Sequence, residues 1–342
     1  MKVLVTGGAG YVGSHTVRWL SQRGDRVWIY DDLSRGHREA VPADQFIKGD
    51  LLDANKLEAA LFENGIEAVV HFAGASLVGE SVERPDIYYR NNVAGSLSLL
   101  EAMRAVGVTR IVFSSTTAVY GTPEMMPITE SLPLAPINPY GFSKRCVEQI
   151  LADYQSAYGF SFAALRYFNA AGASPDGDLG EDHTPESHLI PIVLQVALGQ
   201  REQIVIFGDD YQTPDGTCIR DYVHVDDLAA AHQAALSILC SPGDSQAVAP
   251  QKLFMNLGIG RGYSVREVID VCRAVTGHEI PAVVGPRRPG DPPELVANSS
   301  LAQRELNWQP KYTSLESIVE TAWRWHSQHP NGFAEDKVSV ES

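Results

Sequence analysis

No stretch of this 342-residue chain gathers the roughly 20 apolar residues that span a bilayer, and Met1-Lys2 leads straight into Val3-Leu4-Val5 instead of a signal-peptide apolar region. A soluble, cytoplasmic protein with no membrane partner is expected. Cysteine is scarce: Cys146, Cys218, Cys240 and Cys272 are widely scattered with no C-x-x-C, which argues against a disulfide framework and a cysteine zinc cage. Reduced, buried thiols are expected. Positive charge is also short, with 27 Lys and Arg against 42 Asp and Glu and a formal net charge of -15. A phosphate backbone demands a basic surface, so nucleic acid is excluded as a partner. Internal repeats and low-complexity tracts are absent. What remains is 44% hydrophobic content, ample for a packed core. A small phosphorylated ligand still finds a local source of positive field in Gly285-Pro286-Arg287-Arg288-Pro289-Gly290-Asp291.

The first half alternates β-rich runs (2–6, 26–30, 45–48, 68–72, 110–114 and 161–167) with amphipathic stretches at 12–23, 55–64, 92–106 and 139–158. That order predicts an α/β fold with a doubly wound parallel sheet. The second half shows helical patterns at 188–199, 225–239, 265–276 and 315–328, and β-like runs at 204–207 and 253–257. Ser264 and Glu267 have capping-box spacing, which predicts a helix start. A Gly/Pro/Asp-rich loop over 172–186 marks where the chain leaves for a smaller α/β substrate-binding lobe. The expected division is a nucleotide domain over 1–175 with returning segments within 204–258, a lobe over 176–203 and 259–330, and a polar tail over 331–342.

Thr6-Gly7-Gly8-Ala9-Gly10-Tyr11-Val12-Gly13 follows the first predicted strand and opens the first predicted helix. This is the context of a phosphate-binding glycine turn, with the helix amino terminus facing the negative charge. The second strand ends at Tyr30-Asp31-Asp32, near the distance at which an acid grips the ribose hydroxyls, and Asp31 there argues for NAD over NADP. Asp50 after the third strand reads equally as an adenine contact and as a turn carboxylate.

Tyr140 and Lys144 share one helix face, and a phenol near an ammonium has its anion favoured, so the pair suits proton transfer. Phe113-Ser114-Ser115-Thr116 ends a strand with hydroxyls expected to face the same pocket. His15, His71 and His224 show no ligand spacing with another His or Cys, so packing or capping accounts for them and no metal is expected. Trp308, Trp323 and Trp325 read as core and surface of the carboxy-terminal lobe.

With the glycine turn, Asp31, the hydroxyl run and Tyr140/Lys144 in this order, the chain resembles the extended short-chain dehydrogenase/reductase superfamily, and within it the UDP-sugar 4-epimerases. Further segments that carry the resemblance are His71-Phe72-Ala73-Gly74, Asn91-Asn92-Val93, Leu165-Arg166-Tyr167-Phe168-Asn169, Arg220-Asp221-Tyr222-Val223-His224 and Arg304-Glu305-Leu306-Asn307-Trp308. They run from residue 4 to about residue 325. The resemblance implies a Rossmann nucleotide domain that retains NAD on Gly7, Gly10, Tyr11, Val12, Gly13, Asp31, Asp32, Asp50, Leu51, Phe72, Ala73, Gly74, Asn91, Ser114, Tyr140, Lys144 and Tyr167. It implies Tyr140 as catalytic base, Lys144 as the residue that lowers its pKa and holds the nicotinamide ribose, and Thr116 as hydrogen-bond partner of the reacting sugar oxygen. For the UDP-hexose it implies Phe168, Asn169, His188, Leu189, Ile206, Phe207, Arg220, Arg288 and Asp291, with a homodimer as the assembly. Ser76 stands where some epimerases carry a lysine for the cofactor pyrophosphate. Leu295 falls at the position that controls which sugar C2 substituent fits.

The implied reaction interconverts UDP-glucose and UDP-galactose through a 4-keto sugar. UDP-N-acetylglucosamine, UDP-pentose and UDP-hexuronate remain alternative substrates, and a non-catalytic NAD sensor is the alternative of a different class. A 4,6-dehydratase needs an acid pair directly after the active-site threonine, where this chain has Thr117-Ala118.

Overall fold

The structure, a computed structural model, describes residues 1–240, 250–288 and 290–333; the end of the expected tail, from residue 334, lies outside the described residues. The chain runs through β1 (Lys2–Thr6), α1 (Tyr11–Gln22), β2 (Arg26–Asp31), β3 (Phe46–Lys48), α2 (Ala54–Glu63), β4 (Ala68–His71), α3 (Val78–Glu83) and α4 (Pro85–Tyr88). A π-helical turn (Tyr89–Ala94) then runs into α5 (Gly95–Ala105), followed by β5 (Arg110–Thr116), α6 (Pro139–Tyr158) and β6 (Ser161–Tyr167). The second part is β7 (Asn169–Ala171), α7 (Leu189–Ala197), β8 (Ile204–Phe207), β9 (Ile219–His224), α8 (Val225–Cys240), β10 (Lys252–Leu257), β11 (Gly262–Ser264), α9 (Val265–Thr276), β12 (Ala282–Gly285), β13 (Glu294–Leu295), α10 (Ser300–Glu305) and α11 (Leu315–Gln328).

Seven parallel strands form the main sheet in the order β10-β6-β5-β4-β1-β2-β3. Their residues read as near-continuous apolar runs because both faces are covered. One face packs Val3, Val5 and Val70 against Val17 and Leu20 of α1 and Leu228 and Leu236 of α8. The other packs Leu4, Val69 and Ile111 against Leu57 of α2, Leu99 and Leu100 of α5 and Val147 and Leu151 of α6. The strand order reverses between β1 and β4, and the crevice at their carboxyl ends is where such sheets hold ligands.

The second layer is smaller. Strand β9 pairs with β7, β11 and β13, and β8 pairs with β12. Helices α7, α9 and α11 close a separate core around Ile190, Leu194, Val268, Ile318 and Val319. Of the span 204–258, α8 and β10 are the parts that return to the main sheet, while β8 and β9 stay with the second layer. The Ser264–Glu267 capping box forms as its spacing predicts, at the start of α9.

Candidate active site

Local sequence sets the glycine turn. Gly7 has φ +69°, and a Cβ there would lie 2.4 Å from the Ala73 amide nitrogen; at Gly13 a Cβ would lie 2.2 Å from the Gly7 carbonyl oxygen. Only glycine lets β1, the β4 loop and α1 approach this closely. No side chain caps the amino terminus of α1. Its first-turn amides, from Tyr11, Val12 and Gly13, therefore suit an anion, which is what a pyrophosphate cradle requires. Buried Asp31 accepts from the Ala9 amide at 3.0 Å and the Leu33 amide at 2.9 Å, holding the turn to the end of β2. Burial pushes its carboxyl up from the ordinary range.

The other expected cofactor residues fall around this crevice with differing roles. The Tyr11 phenol donates to the Gly172 carbonyl at 2.5 Å, so its ring braces the turn against the loop after β7. Asp32 and Asp50 accept from the Ser34 and Leu52 amides, the Asx-turn geometry read for Asp50. Leu51 is buried in the α2/α5 core, and Phe72 packs on the buried His232 ring. Gly74 faces Asn92 and Lys144: a Cβ there would stand 3.1 Å from Asn92 Oδ1 and 3.5 Å from Lys144 Nζ. Asn91 sits in the π-helical turn, a distortion common at functional sites. Its neighbour Asn92, which sequence reasoning had not singled out, ties Ala75 to Ser143 of α6.

Helix α6 places the proton-transfer pair. Asn138 caps it through the Gly141 amide, Pro139 pre-sets its first turn and Gly159 ends it in the left-handed region. Tyr140 thus stands in the first turn and Lys144 one turn on. The Lys144 ammonium donates to the Ser114 carbonyl at 2.8 Å and lies over the Phe113 ring. Burial brings its pKa down to about 8, opposed by Glu148. The expected depression of the Tyr140 pKa is not present in this state. Burial raises it, a hydrogen bond with Thr116 partly offsets that, and the Lys144 charge is directed at Ser114.

The hydroxyl run divides between two faces, as strand alternation requires. Ser114 bonds the Tyr167 phenol at 2.6 Å and Thr116, whose hydroxyl accepts the Ala118 amide, lies beside Tyr140, but Ser115 points the other way and donates to buried Glu148 at 2.6 Å. The expectation that all three line one pocket is therefore corrected. Arg166 grips Glu148 through two nitrogens, at 2.8 and 2.6 Å, and donates to the Tyr120 phenol. This ion pair clamps α6 to β6 beneath the reacting groups.

On the second layer, Arg220 pairs with Asp291, and the Arg288 guanidinium lies 4.0 Å over the Phe207 ring. Phe207 is exposed, while the Ile206 side chain is buried in the lobe core. Asn169 opens β7 opposite Tyr222. Phe168 is buried in a small cluster with Val119, Tyr120 and Ile128, against which Leu295 packs. His188 precedes α7 and Leu189 begins it. The histidines first examined are engaged elsewhere: His71 with Thr6 and Ser96, His224 with Thr321, and His15 with Asp226. The Trp308 and Trp325 indoles are buried and donate to backbone carbonyls of Asp227 and Glu181.

A doubly wound nucleotide domain, a Tyr/Lys pair beside a threonine hydroxyl and an arginine-bearing lobe define an enzyme of the short-chain dehydrogenase/reductase type. The family model described as GDP-mannose 4,6 dehydratase matches residues 4–321. A UDP-glucose 4-epimerase of Halalkalibacterium halodurans is 55% identical, over 98% of each chain. A crystal structure of a UDP-glucose 4-epimerase superposes with a TM-score of 0.93 at 50% identity, covering 98% of this chain and 100% of the other. That of the Bifidobacterium longum UDP-glucose 4-epimerase, in complex with NAD+ and UDP, gives 0.90 at 40% identity, covering 97% and 100%. The chain belongs to this extended short-chain dehydrogenase family and, within it, to the UDP-glucose 4-epimerases.

Proposed function

We infer that the protein interconverts UDP-glucose and UDP-galactose, using tightly held NAD. The observation that carries the chemistry is the Thr116 hydroxyl close enough to the Tyr140 phenol to lower its pKa, with the Lys144 ammonium one helical turn on. Bound NAD supplies a hydride acceptor at the sugar C4 and a positive ring charge that favours the phenolate. Tyr140 takes the proton of the 4-hydroxyl while Thr116 orients that oxygen. With NAD bound the sugar would reach the 4-keto level, and its rotation about the diphosphate would present the opposite face to the cofactor site. Tyr140 gives the proton back. The residues expected on the UDP-sugar share out accordingly: Arg220, Arg288, Asn169 and Asp291 grip the nucleotide and diphosphate, while Phe168 and Leu295 leave the hexose room to turn.

The family model's description names a dehydratase, but Thr117 and Ala118 follow Thr116 and supply no acid for elimination. The helices α5 and α6, with the π-helical turn before α5, suit a homodimer: Leu97, Tyr89 and Phe142 are exposed there, and the last two rings touch edge to face. A cytoplasmic location is consistent with the absence, among the described residues, of any helix long and apolar enough to cross a membrane.

The test is to incubate purified protein with UDP-glucose, adding no NAD, and to resolve the products by anion-exchange chromatography. UDP-galactose is expected. No conversion, even after NAD is supplied, overturns the reading.

A further inference from the structure

Four potential ligands, of which the sequence reading named only His188 and that for the UDP-hexose, gather on the loop between β7 and α7. The ligand atoms of Glu181, His183, Glu186 and His188 all lie within 4.8 Å of one another. The His183 Nδ1 is 3.1 Å from Glu181 Oε1 and 3.9 Å from Glu186 Oε2, and the His188 Nδ1 contacts the same Glu181 oxygen. Donors bound tetrahedrally at zinc distances stand about 3.3 Å apart, so the His183–Glu181 separation already fits, while the His188–Glu181 contact must open and the wider pairs must close around a central ion.

The surroundings fit a built site. The Glu181 and Glu186 side chains are 3% and 4% exposed, two carboxylates held out of water, a cost that positive charge on a bound ion or on His183 and His188 between them must offset. Outer contacts orient the ligands, as they do around bound metals. Glu186 uses its Oε1 to accept the Ser187 and His188 amides, which leaves Oε2 toward His183. The Trp325 indole donates to the Glu181 carbonyl at 3.0 Å, and the Tyr11 ring meets His183 edge-on. Two neutral imidazoles, two carboxylates and a divalent cation sum to zero charge.

We propose that Glu181, His183, Glu186 and His188 form a four-coordinate site for a divalent transition-metal ion, zinc by its nitrogen and oxygen donor set. Carboxylate and imidazole ligands suit zinc, whereas an all-oxygen set would suit magnesium or calcium. All four ligands come from one short segment, so the ion closes a loop rather than joining distant elements. It fixes the start of α7, where His188 and Leu189 stand, against Tyr11 of the glycine turn.

The test uses the full chain, produced without a histidine tag in zinc-supplemented medium, purified without chelator and dialysed against metal-free buffer. Inductively coupled plasma mass spectrometry is expected to find about one zinc per chain. Stripping with a chelator lowers the thermal midpoint, and zinc chloride restores it. The double variant His183→Gln/Glu186→Gln retains at least tenfold less zinc under the same dialysis. Wild-type protein reloaded with cobalt decides the matter without any variant, because a four-coordinate site gives intense visible bands. Failure of stripped wild type to take up zinc or cobalt stoichiometrically overturns the proposal in favour of an ion-paired histidine cluster. Equal zinc retention by a folded double variant also overturns it.

Discussion

The Lys144 ammonium stands 2.8 Å from the Ser114 carbonyl oxygen, buried on the helix face that carries Tyr140 one turn earlier. Burial lowers its pKa from the ordinary 10.5 to about 8. The unfolded chain therefore binds more protons than the native one between these values. Stability gains from this group as pH rises from about 8 to about 10.5, and the full penalty holds below about 8. Lys144→Met removes a cost of about 3 kcal/mol at pH 7 and orphans one carbonyl, at about 1–3 kcal/mol. Activity is expected to collapse while the thermal midpoint stays level or rises by about 1–2 °C. Paired assays of turnover and calorimetry at pH 7 check this, and a clear fall in midpoint would refute it.

Tyr140→Phe keeps the ring against Tyr88, where the two stand edge to face, but deletes the base. A drop in kcat of about 10²- to 10⁴-fold is expected, with UDP-sugar affinity unchanged. Steady-state kinetics alongside calorimetric UDP titration separates the two effects. Thr116→Val is expected to lose less, because it removes an orienting hydrogen bond and leaves the phenol in place.

Glu148 and Arg166 form the buried pair that braces α6, with Ser115 and Tyr120 completing the bonds. Glu148→Ala leaves the guanidinium buried without its counterion and is expected to destabilise by about 3–5 kcal/mol. Urea unfolding followed by circular dichroism measures this. A shift below about 1 kcal/mol would mean that Arg166 finds another partner or water.

Leu295 packs against the cluster that holds Phe168, beside Arg220 in the β13/β9 register. The resemblance implies that this position sets the room for a sugar C2 substituent. Leu295→Gly is expected to raise the kcat/KM ratio of UDP-N-acetylglucosamine to UDP-glucose by about tenfold or more. Leu295→Tyr is expected to lower that ratio and leave UDP-glucose turnover in place. Competition assays with both substrates read the ratio directly.

The first six strands and the long helices were legible because each carries one unambiguous period or one buried apolar run. Strand β5 carries its hydroxyl run to Thr116 as read, although its apolar run stops at Phe113, since Ser115 is held by Glu148 on one face and Ser114 by Tyr167 on the other and neither needs an apolar side chain there. Strand β9, Ile-Arg-Asp-Tyr-Val-His, was not read as a strand at all. Its polar members are satisfied by distant residues, Asp221 for example by the amides of Ile259, Gly260 and Ala297. The helix expected over 92–106 instead begins with the π-helical turn at 89–94, which has no compositional signature. At the site, the Tyr140/Lys144 spacing and the glycine turn were plain. Of the Glu181 to His188 cluster the sequence reading named only His188, because the residues alternate between acids and imidazoles, although Glu-x-His-x-x-Glu-x-His is readable once both residue types are searched together.

The return of the chain to its first sheet governs how the protein can be made. Strand β10 covers the open edge of β6, and α8 covers the apolar side of α1, yet both are encoded after β7, α7, β8 and β9 of the second layer. During synthesis, Phe162 and Leu165 of β6 must wait beside an unpaired edge until Leu257 has left the ribosome. A fragment ending after β6 is therefore a template for aggregation, and cutting between the layers yields no working half.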